Sequence, residues 1–289
     1  MRTRILIASL VSTFVFLTSC NKEKTDDFTP EITQDDVSYS AKSDAAVDDA
    51  SAIILEQFSV DAFPSRLAQT DKAAPAPTCA TITRVPAIGT PLVDGDKVTK
   101  TIDYGTTGCV LPNGNTLKGK IIISFYYHPK ATSHEITYTF ENFYHNEIKL
   151  DGTRTITIKV EPNNVNPTHL AFYINLNVTV TLPNGKILKI TGNKKREIVE
   201  GEATPDISDN VYAVTGSWET VFPNGATRTA TITSALNIKM SCASREIVKG
   251  IITFVKNDKT ATLDFGNGAC DNKAILTING ISYDIYLRK

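Results

Sequence analysis

Residues 170–182 read LAFYINLNVTVTL, and this stretch decides the fold class. Apolar side chains occupy every even position from Leu170 to Leu182, whereas asparagine and threonine fill the odd positions from Asn175 to Thr181. Successive side chains on a β-strand point to opposite faces, so one face of this strand is apolar and the other is polar. The pattern is typical of an antiparallel sheet with one solvated face. Residues 227–240, TRTATITSALNIKM, show the same alternation.

Turn signals separate these alternating stretches. Asn-Gly and Asp-Gly pairs favour type I′ hairpin turns, which require positive φ at both central residues. We therefore predict an all-β antiparallel meander or sandwich of about 12–14 strands, with one short N-terminal helix. The five predicted turns are Asn113-Gly114, Asp151-Gly152, Asn184-Gly185, Asn224-Gly225 and Asn279-Gly280.

The first twenty residues predict export. Arg2 and Arg4 precede an apolar run, and Leu17-Thr18-Ser19-Cys20 follows it. The run is typical of a secretory signal and is short for a membrane span. The Leu-x-small-Cys ending resembles a bacterial lipobox, which implies that the Cys20 sulfur carries the lipid anchor after cleavage. An ordinary signal peptide with an incidental cysteine is the alternative.

The remaining chain divides into three predicted parts. Residues 21–45 form an acidic, disordered tether, because their charged composition offers little apolar surface to bury. Residues 46–77 hold a short helix, capped by Ser43 or Asp44 and ending before Pro64, and then a Pro/Ala linker. Residues 78–289 form the β domain. Acidic residues behind Cys20 resemble the surface-export signal of Bacteroidetes lipoproteins, so we expect an outer-membrane location facing either the cell surface or the periplasm.

The β domain contains an internal duplication. TKTIDYGTTGC at 99–109 matches TATLDFGNGAC at 260–270, and TRTITI at 153–158 matches TRTATI at 227–232. We therefore predict pseudo-duplicated halves over about 79–160 and 211–289. Four cysteines besides Cys20 allow three pairings in an oxidising compartment. Since a duplicated unit should keep its bridge within each copy, we favour Cys79–Cys109 and Cys242–Cys270; a zinc site is the rival, but it lacks ligand-pair spacing.

Candidate binding residues are few. Asp103 and Asp264 could ligate calcium, with Asn267, Asp271 and Asn272 adding oxygens in the second copy, but an Asp that closes a turn before a positive-φ glycine explains both motifs better. An aromatic cluster at 125–144 could form a sugar-stacking platform, although core packing explains most of it. If a ligand surface exists, we expect it at Tyr126, Tyr144 and Trp218. The four histidines lack metal-ligand spacing and are interpreted as surface residues.

The motifs together resemble a family of Bacteroidetes lipoproteins of unknown function. The resemblance runs from about Cys79 to the C-terminus, and its most specific part is the Leu263-Asp264-Phe265-Gly266 block with Cys270-Asp271-Asn272. It supports an envelope location and a β fold, and it implies no catalytic residue.

These observations favour a non-enzymatic, lipid-anchored envelope protein that binds a glycan or a protein partner. A structural or adhesion role is the alternative, and a hydrolase whose carboxylates converge only in the folded chain is the third hypothesis. The net charge of −1 indicates no nucleic-acid surface. No phosphate loop or nucleophile elbow is present in the sequence, so we expect no cofactor, metal ion or catalytic residue.

Overall fold

Antiparallel strands follow one another along the chain and belong to one sheet. The computed structural model describes residues 32–62, 79–111, 114–162, 169–202, 204, 207–242 and 246–286. These contain one α-helix, α1 (Gln34–Ala62), and fifteen strands. The strands are β1 (Thr81–Val85), β2 (Lys97–Asp103), β3 (Cys109–Val110), β4 (Thr116–Tyr126), β5 (Ser133–His145), β6 (Ile148–Asp151), β7 (Thr153–Val160), β8 (Leu170–Thr181), β9 (Ile187–Glu200), β10 (Val211–Val221), β11 (Thr227–Lys239), β12 (Glu246–Lys256), β13 (Lys259–Asn267), β14 (Lys273–Ile278) and β15 (Ile281–Tyr286).

The topology is a meander, as the sequence predicted. The spatial order runs β1-β2-β4-β5-β6-β8 and then consecutively to β15, with β3 paired to β4 and β7 paired to both β5 and β8. Strands β6 and β7 keep one register against β8, because the pairs Asp151↔Thr179 and Ile156↔Ile174 continue each other. They act as a single strand interrupted at Gly152. The predicted Asp151-Gly152 hairpin is therefore wrong: the positive φ of this glycine serves a strand irregularity.

The other turn signals within the described residues do connect strands, but by two different turn types. At Asn279-Gly280 both residues have positive φ, of 50° and 79°, which is the predicted type I′ geometry. At residues 182–186 and 222–226 only the glycine has positive φ, and its N–H donates to the carbonyl three residues earlier. Proline before the asparagine fixes φ near −65°, so a type I turn followed by a left-handed glycine replaces the type I′ turn there.

Helix α1 fills the inner face of the sheet. Its side chains contact strands from β1 and β2 to β11 and β14, and the partner strand advances across the sheet along the helix, so the helix lies across most of the sheet. Among its described side chains, only Lys42 and Val60 are exposed. Val47, Ile54 and Phe58, which recur at helical spacing in the sequence, are all buried in the core that the helix shares with the strands.

The helix is longer than predicted. It begins at Gln34, inside the segment expected to be a tether, and Ser43 and Asp44 are buried within it instead of capping it. Small residues let the helix lie close to the strands. The Ser43 and Ser51 hydroxyls donate to the carbonyls four residues earlier, each at 2.8 Å, so their burial leaves no hydroxyl unsatisfied. Residues 1–31 and 63–78, including Cys20 and the predicted linker, lie outside the described residues.

Acids on the helix pair with cations on the strands. Asp61 Oδ1 lies 2.7 Å from Arg84 Nη1, and its Oδ2 lies 3.0 Å from Lys100 Nζ. Asp48 Oδ1 lies 2.9 Å from Lys194 Nζ. Within residues 34–45 the composition argument failed at Asp44, which is buried close to the charges of Lys194 and Arg228: an acidic residue is tolerated in the interior when the surrounding strands supply the opposite charge.

Six buried Lys and Arg side chains line the inner face in the described part of the chain. Lys100 is held by Asp61, and the other five each face an aromatic ring, with distances to the ring centroid from 3.6 Å for Arg196 to 5.1 Å for Lys256. Cation–π contacts offset part of the desolvation of a buried cation. The six are Lys100, Arg154, Lys194, Arg196, Arg228 and Lys256.

Both halves of the duplication build the same local structure. The Gly105 N–H donates to Asp103 Oδ1 and the Gly266 N–H to Asp264 Oδ1, each at 2.8 Å. The aromatic residue between them is 3% exposed in both copies. These are the Asx turns that the structural interpretation required. The disulfides Cys79–Cys109 and Cys242–Cys270 are both present, so each bridge stays within its own copy.

Candidate functional site

The three predicted ligand residues do not form one surface. Tyr126 is 57% exposed at the end of β4, and Tyr144 is partly exposed near the end of β5, where it pairs with Lys118. The two tyrosines therefore occupy opposite ends of the β4–β5 hairpin, about 25 Å apart at the usual rise per strand residue. Of the other cluster aromatics, Phe125, Tyr138 and Phe143 are buried in the core.

Trp218 belongs to the interior. It is 2% exposed on β10, and Lys194 Nζ lies 4.5 Å from its ring centroid. Its backbone pairs with Gly192 on β9, where a Cβ atom would meet Ser217 and Trp218. Glycine at 192 thus lets β9 lie close to the backbone of β10 at Trp218. The buried Trp218 is not available on the outer surface.

A groove on the outer face of β7, β8, β9 and β10 is the best candidate for a binding site. Its volume is about 410 Å³, which lies in the usual range for small-ligand sites. Four neighbouring strands supply its walls, so the register of the sheet positions every side chain in it. The lining residues are Thr155, Thr157, Tyr173, Ile174, Asn175, Asn193, Lys194, Lys195, Thr215 and Gly216.

Two asparagines form the centre of the groove. Asn175 on β8 and Asn193 on β9 are direct cross-strand partners, and both are exposed. Each amide offers donors and an acceptor side by side. In the described part of the chain neither side chain hydrogen-bonds to protein, and the same holds for Thr155 and Thr215. The groove therefore presents unused hydrogen-bonding groups to solvent.

Charges at the edge of the groove are balanced. The Tyr173 hydroxyl donates to Glu161 Oε1 at 2.6 Å, and Lys195 Nζ lies 3.1 Å from Glu161 Oε2 and 2.9 Å from Glu197 Oε1. Lys159 Nζ lies 5.0 Å from the Tyr173 ring centroid. Two lysines thus accompany two glutamates, and the site carries no net charge.

The same contacts keep Glu161 ionised. The hydrogen bond from Tyr173, with Lys195 beside it, holds the pKa of Glu161 below its usual value. Burial opposes the charge of Lys195, but its bonds to Glu197 and Glu161 outweigh that effect and raise the lysine pKa. A glycosidase acid must hold a proton near neutral pH. The carboxylate pair around Lys195 is therefore arranged for ion pairing, and it does not support acid catalysis.

Three of the four histidines are buried, so their prediction as surface residues is wrong. His145 Nε2 lies 2.9 Å from Asp49 on the helix, and His134 packs against Phe58, with 5.6 Å between ring centroids. His169 Nδ1 lies 2.9 Å from Glu202, which continues the charged network at the end of the groove. Each buried imidazole has a polar or aromatic partner that distant parts of the chain supply. His128 is exposed.

The candidate calcium residues bind backbone groups instead. Asp103 and Asp264 accept the N–H bonds of the Asx turns, and Asp271 Oδ1 accepts from the Lys273 N–H at 3.1 Å. Across the described ranges, no group of three or more His, Cys, Asp or Glu side chains is arranged to hold a metal ion. The one helix in those ranges is not long and apolar enough to cross a membrane.

Comparisons with protein-family models, curated protein sequences and solved structures gave no match for this chain. The assignment of function therefore depends on the chemistry of the groove. Sequence reasoning missed this site because Thr155, Asn175, Asn193 and Thr215 are separated along the chain and meet only through strand register. One signal was available: the alternation in β8 placed Tyr173 and Asn175 on the polar face.

Proposed function

We propose that the protein is a lipid-anchored envelope lipoprotein that binds a neutral glycan, without catalysis, in the groove of β7–β10. The observation that carries the proposal is the pair of amides, Asn175 and Asn193, which no described side chain or backbone group engages, in a groove whose nearby lysines and glutamates balance. Adjacent sugar hydroxyls act as donor and acceptor together, which matches an amide that offers both. A flat polar face would suit a structural protein, but a concave site with Tyr173 in its wall favours ligand binding.

The balanced charge sets the ligand class. An acidic glycan would need positive charge in excess of the local carboxylates, yet Lys195 is already bound by two carboxylates and Lys194 is directed to Asp48 on the inner face. The remaining cation, Lys159 beside the Tyr173 ring, only offsets the second glutamate. A cationic ligand would meet Lys159 and Lys195. A neutral sugar needs no cation partner and is not repelled by the two lysines, so its binding displaces only water.

Binding is tested with the purified full-length protein on an array of neutral oligosaccharides and their uronic-acid and sulfated counterparts. We expect retention of neutral members only. Loss of one hydrogen bond changes affinity by about threefold to tenfold, so Asn175→Ala with Asn193→Ala should weaken binding by tenfold or more.

Asn177→Ala is the matched control, because Asn177 is exposed on the same strand but does not line the groove. Its affinity should equal that of the wild type. Equal loss in Asn177→Ala, or no retention of any neutral glycan, would refute the proposal. The second result would leave the structural or adhesion role as the better explanation.

The anchor is tested separately in cells. The lipobox-like Leu17–Cys20 stretch predicts incorporation of labelled palmitate into the wild type and none into Cys20→Ser. Fractionation should place the wild type in the outer membrane, and protease treatment of intact cells then distinguishes the surface from the periplasmic face. An unlabelled wild-type chain in the cytosol would exclude the anchored location.

A further inference from the structure

Uncharged polar side chains form a continuous line across the outer face of the sheet. Strand pairing connects them directly: Asn175 is opposite Asn193, Asn193 is opposite Ser217, and Ser217 is opposite Thr231. The line continues to the last strand and, on the other side of the groove, back to β2. We name these twelve side chains the hydroxyl–amide row: Thr99, Ser124, Thr137, Thr155, Asn175, Asn193, Ser217, Thr231, Thr253, Thr262, Thr277 and Ser282.

Alternation alone does not produce such a row. The alternating pattern requires only that outward side chains can face solvent. The next row along the strands accordingly contains Ile122, Glu219 and Val255 as well as threonines. The row on the other side contains Tyr173 and Lys195. Within the hydroxyl–amide row every side chain is uncharged and carries a hydroxyl or an amide, and all twelve are at least partly exposed.

Most of the row has hydrogen-bonding capacity to spare. Two contacts within the described chain use it: Thr253 bonds to Thr233 at 3.0 Å, and Thr277 bonds to Ser282 at 3.1 Å. Neighbouring strands are about 4.8 Å apart, so the twelve side chains span a path of about 50 Å across the strands. Thr155, Asn175 and Asn193 belong both to the row and to the groove.

We propose that the hydroxyl–amide row binds one extended chain of a neutral, β-1,4-linked polysaccharide that lies across the strands, with the groove as its central subsite. This inference rests on the proposed function and specifies its ligand. Such a polymer is a straight ribbon whose sugar units are about as long as the strand spacing. Each unit can therefore meet the hydroxyl or amide of one strand, which a coiled α-linked polymer cannot do.

The absence of charge and of apolar side chains within the row supports this choice. An anionic polymer would need Lys or Arg along its path, and a row without cations gains nothing from it. An apolar polymer would leave the hydroxyls and amides desolvated without partners. A neutral polyhydroxylated chain replaces the water on each side chain by a hydrogen bond of the same kind.

The test compares cello-oligosaccharides of two to eight units, with amylose oligomers of equal length as the coiled control. The full-length protein carries Thr137→Val and Thr231→Val, which remove one hydroxyl on each side of the groove, within reach of an octamer centred there, while keeping β-branched residues on β5 and β11. Thr139→Val with Thr229→Val is the matched control, because both residues are at least partly exposed on the same strands but lie outside the row.

We expect wild-type affinity for cello-oligosaccharides to rise with length, and affinity for amylose oligomers to stay flat. The row variant should bind the disaccharide normally but the octamer about tenfold more weakly, and the control variant should bind both normally. If affinity depends on the groove asparagines but changes neither with ligand length nor in the row variant, the proposed role of the row is refuted. The proposed function would remain intact. No binding of any neutral sugar would remove both.

Discussion

Asp44 makes a specific prediction about stability and pH. Its carboxyl group is 7% exposed in the middle of helix α1, and one of its oxygens receives no hydrogen bond in the described part of the chain. Burial is the main influence and raises its pKa to about 7, with Asp48 adding to the rise and Lys194 and Arg228 opposing it. We expect Asp44→Asn to stabilise the protein above pH 7 and to change little near pH 5.

The size of this pH effect follows from the coupling between proton binding at Asp44 and folding. The folded chain binds the Asp44 proton near pH 7, whereas the unfolded chain binds it only near the ordinary value of 3.8. Between these values the folded state holds more protons, so this group lowers the free energy of unfolding as pH rises. Because the pKa of Asp44 rises from 3.8 to about 7 on folding, ionisation of this group lowers the free energy of unfolding by about 4 kcal/mol in total. About 3 kcal/mol of that loss falls between pH 5 and pH 8.

Urea unfolding of wild type and Asp44→Asn at pH 5 and pH 8 measures this effect. The difference in unfolding free energy between the two proteins should grow by about 3 kcal/mol toward pH 8. Asp61→Asn is the control on the same helix: it leaves buried Lys100 and Arg84 without their carboxylate, so it should destabilise at both pH values. A wild type and an Asp44→Asn variant with parallel pH profiles would show that this carboxyl is not buried as described.

Two further predictions concern the sheet. Replacing Cys242 and Cys270 by serine opens a loop of 28 residues and should lower the free energy of unfolding by about 3–4 kcal/mol in urea, and an unchanged midpoint would mean that the bridge is not formed. Gly192→Ala places a methyl group against the backbone of Ser217, so β9 and β10 must separate, at about 1–3 kcal/mol by thermal unfolding. The exposed neighbour Thr191→Ala should change stability by less than about 0.5 kcal/mol, and similar losses in both variants would contradict the tight packing at Gly192.

The sequence predicted the sheet because strand signals are local. Alternation over residues 170–182 and turn pairs such as Asn279-Gly280 act within one hairpin, and the within-copy disulfides followed from the duplication. The error at Asp151-Gly152 has the same origin: positive φ at glycine fits both a turn and an irregular strand, and only the partner strand distinguishes them.

The helix and the groove required information from distant parts of the chain. Asp48 looks like a solvated residue until Lys194, on β9, is known to lie beside it. Trp218 looks like a ligand residue until helix α1 covers its face of the sheet. The groove side chains Asn175 and Asn193 gain meaning only when β8 and β9 are in register. A single sequence shows which residues are polar, but it does not show which of them lie next to each other in the folded protein.

The order of elements along the chain has a consequence for folding. Each hairpin joins strands that are neighbours in sequence, so most of the sheet can form through local contacts with little loss of chain entropy. Helix α1 comes first in the chain, yet its partners extend from Arg84 to Arg228 and beyond, on strands made much later. The first described element to leave the ribosome is therefore among the last to dock. Once the helix has docked, the hairpins and the helix form one cooperative unit. Removal of the C-terminal strands should thus destabilise the docking of helix α1, although the helix lies near the other end of the sequence.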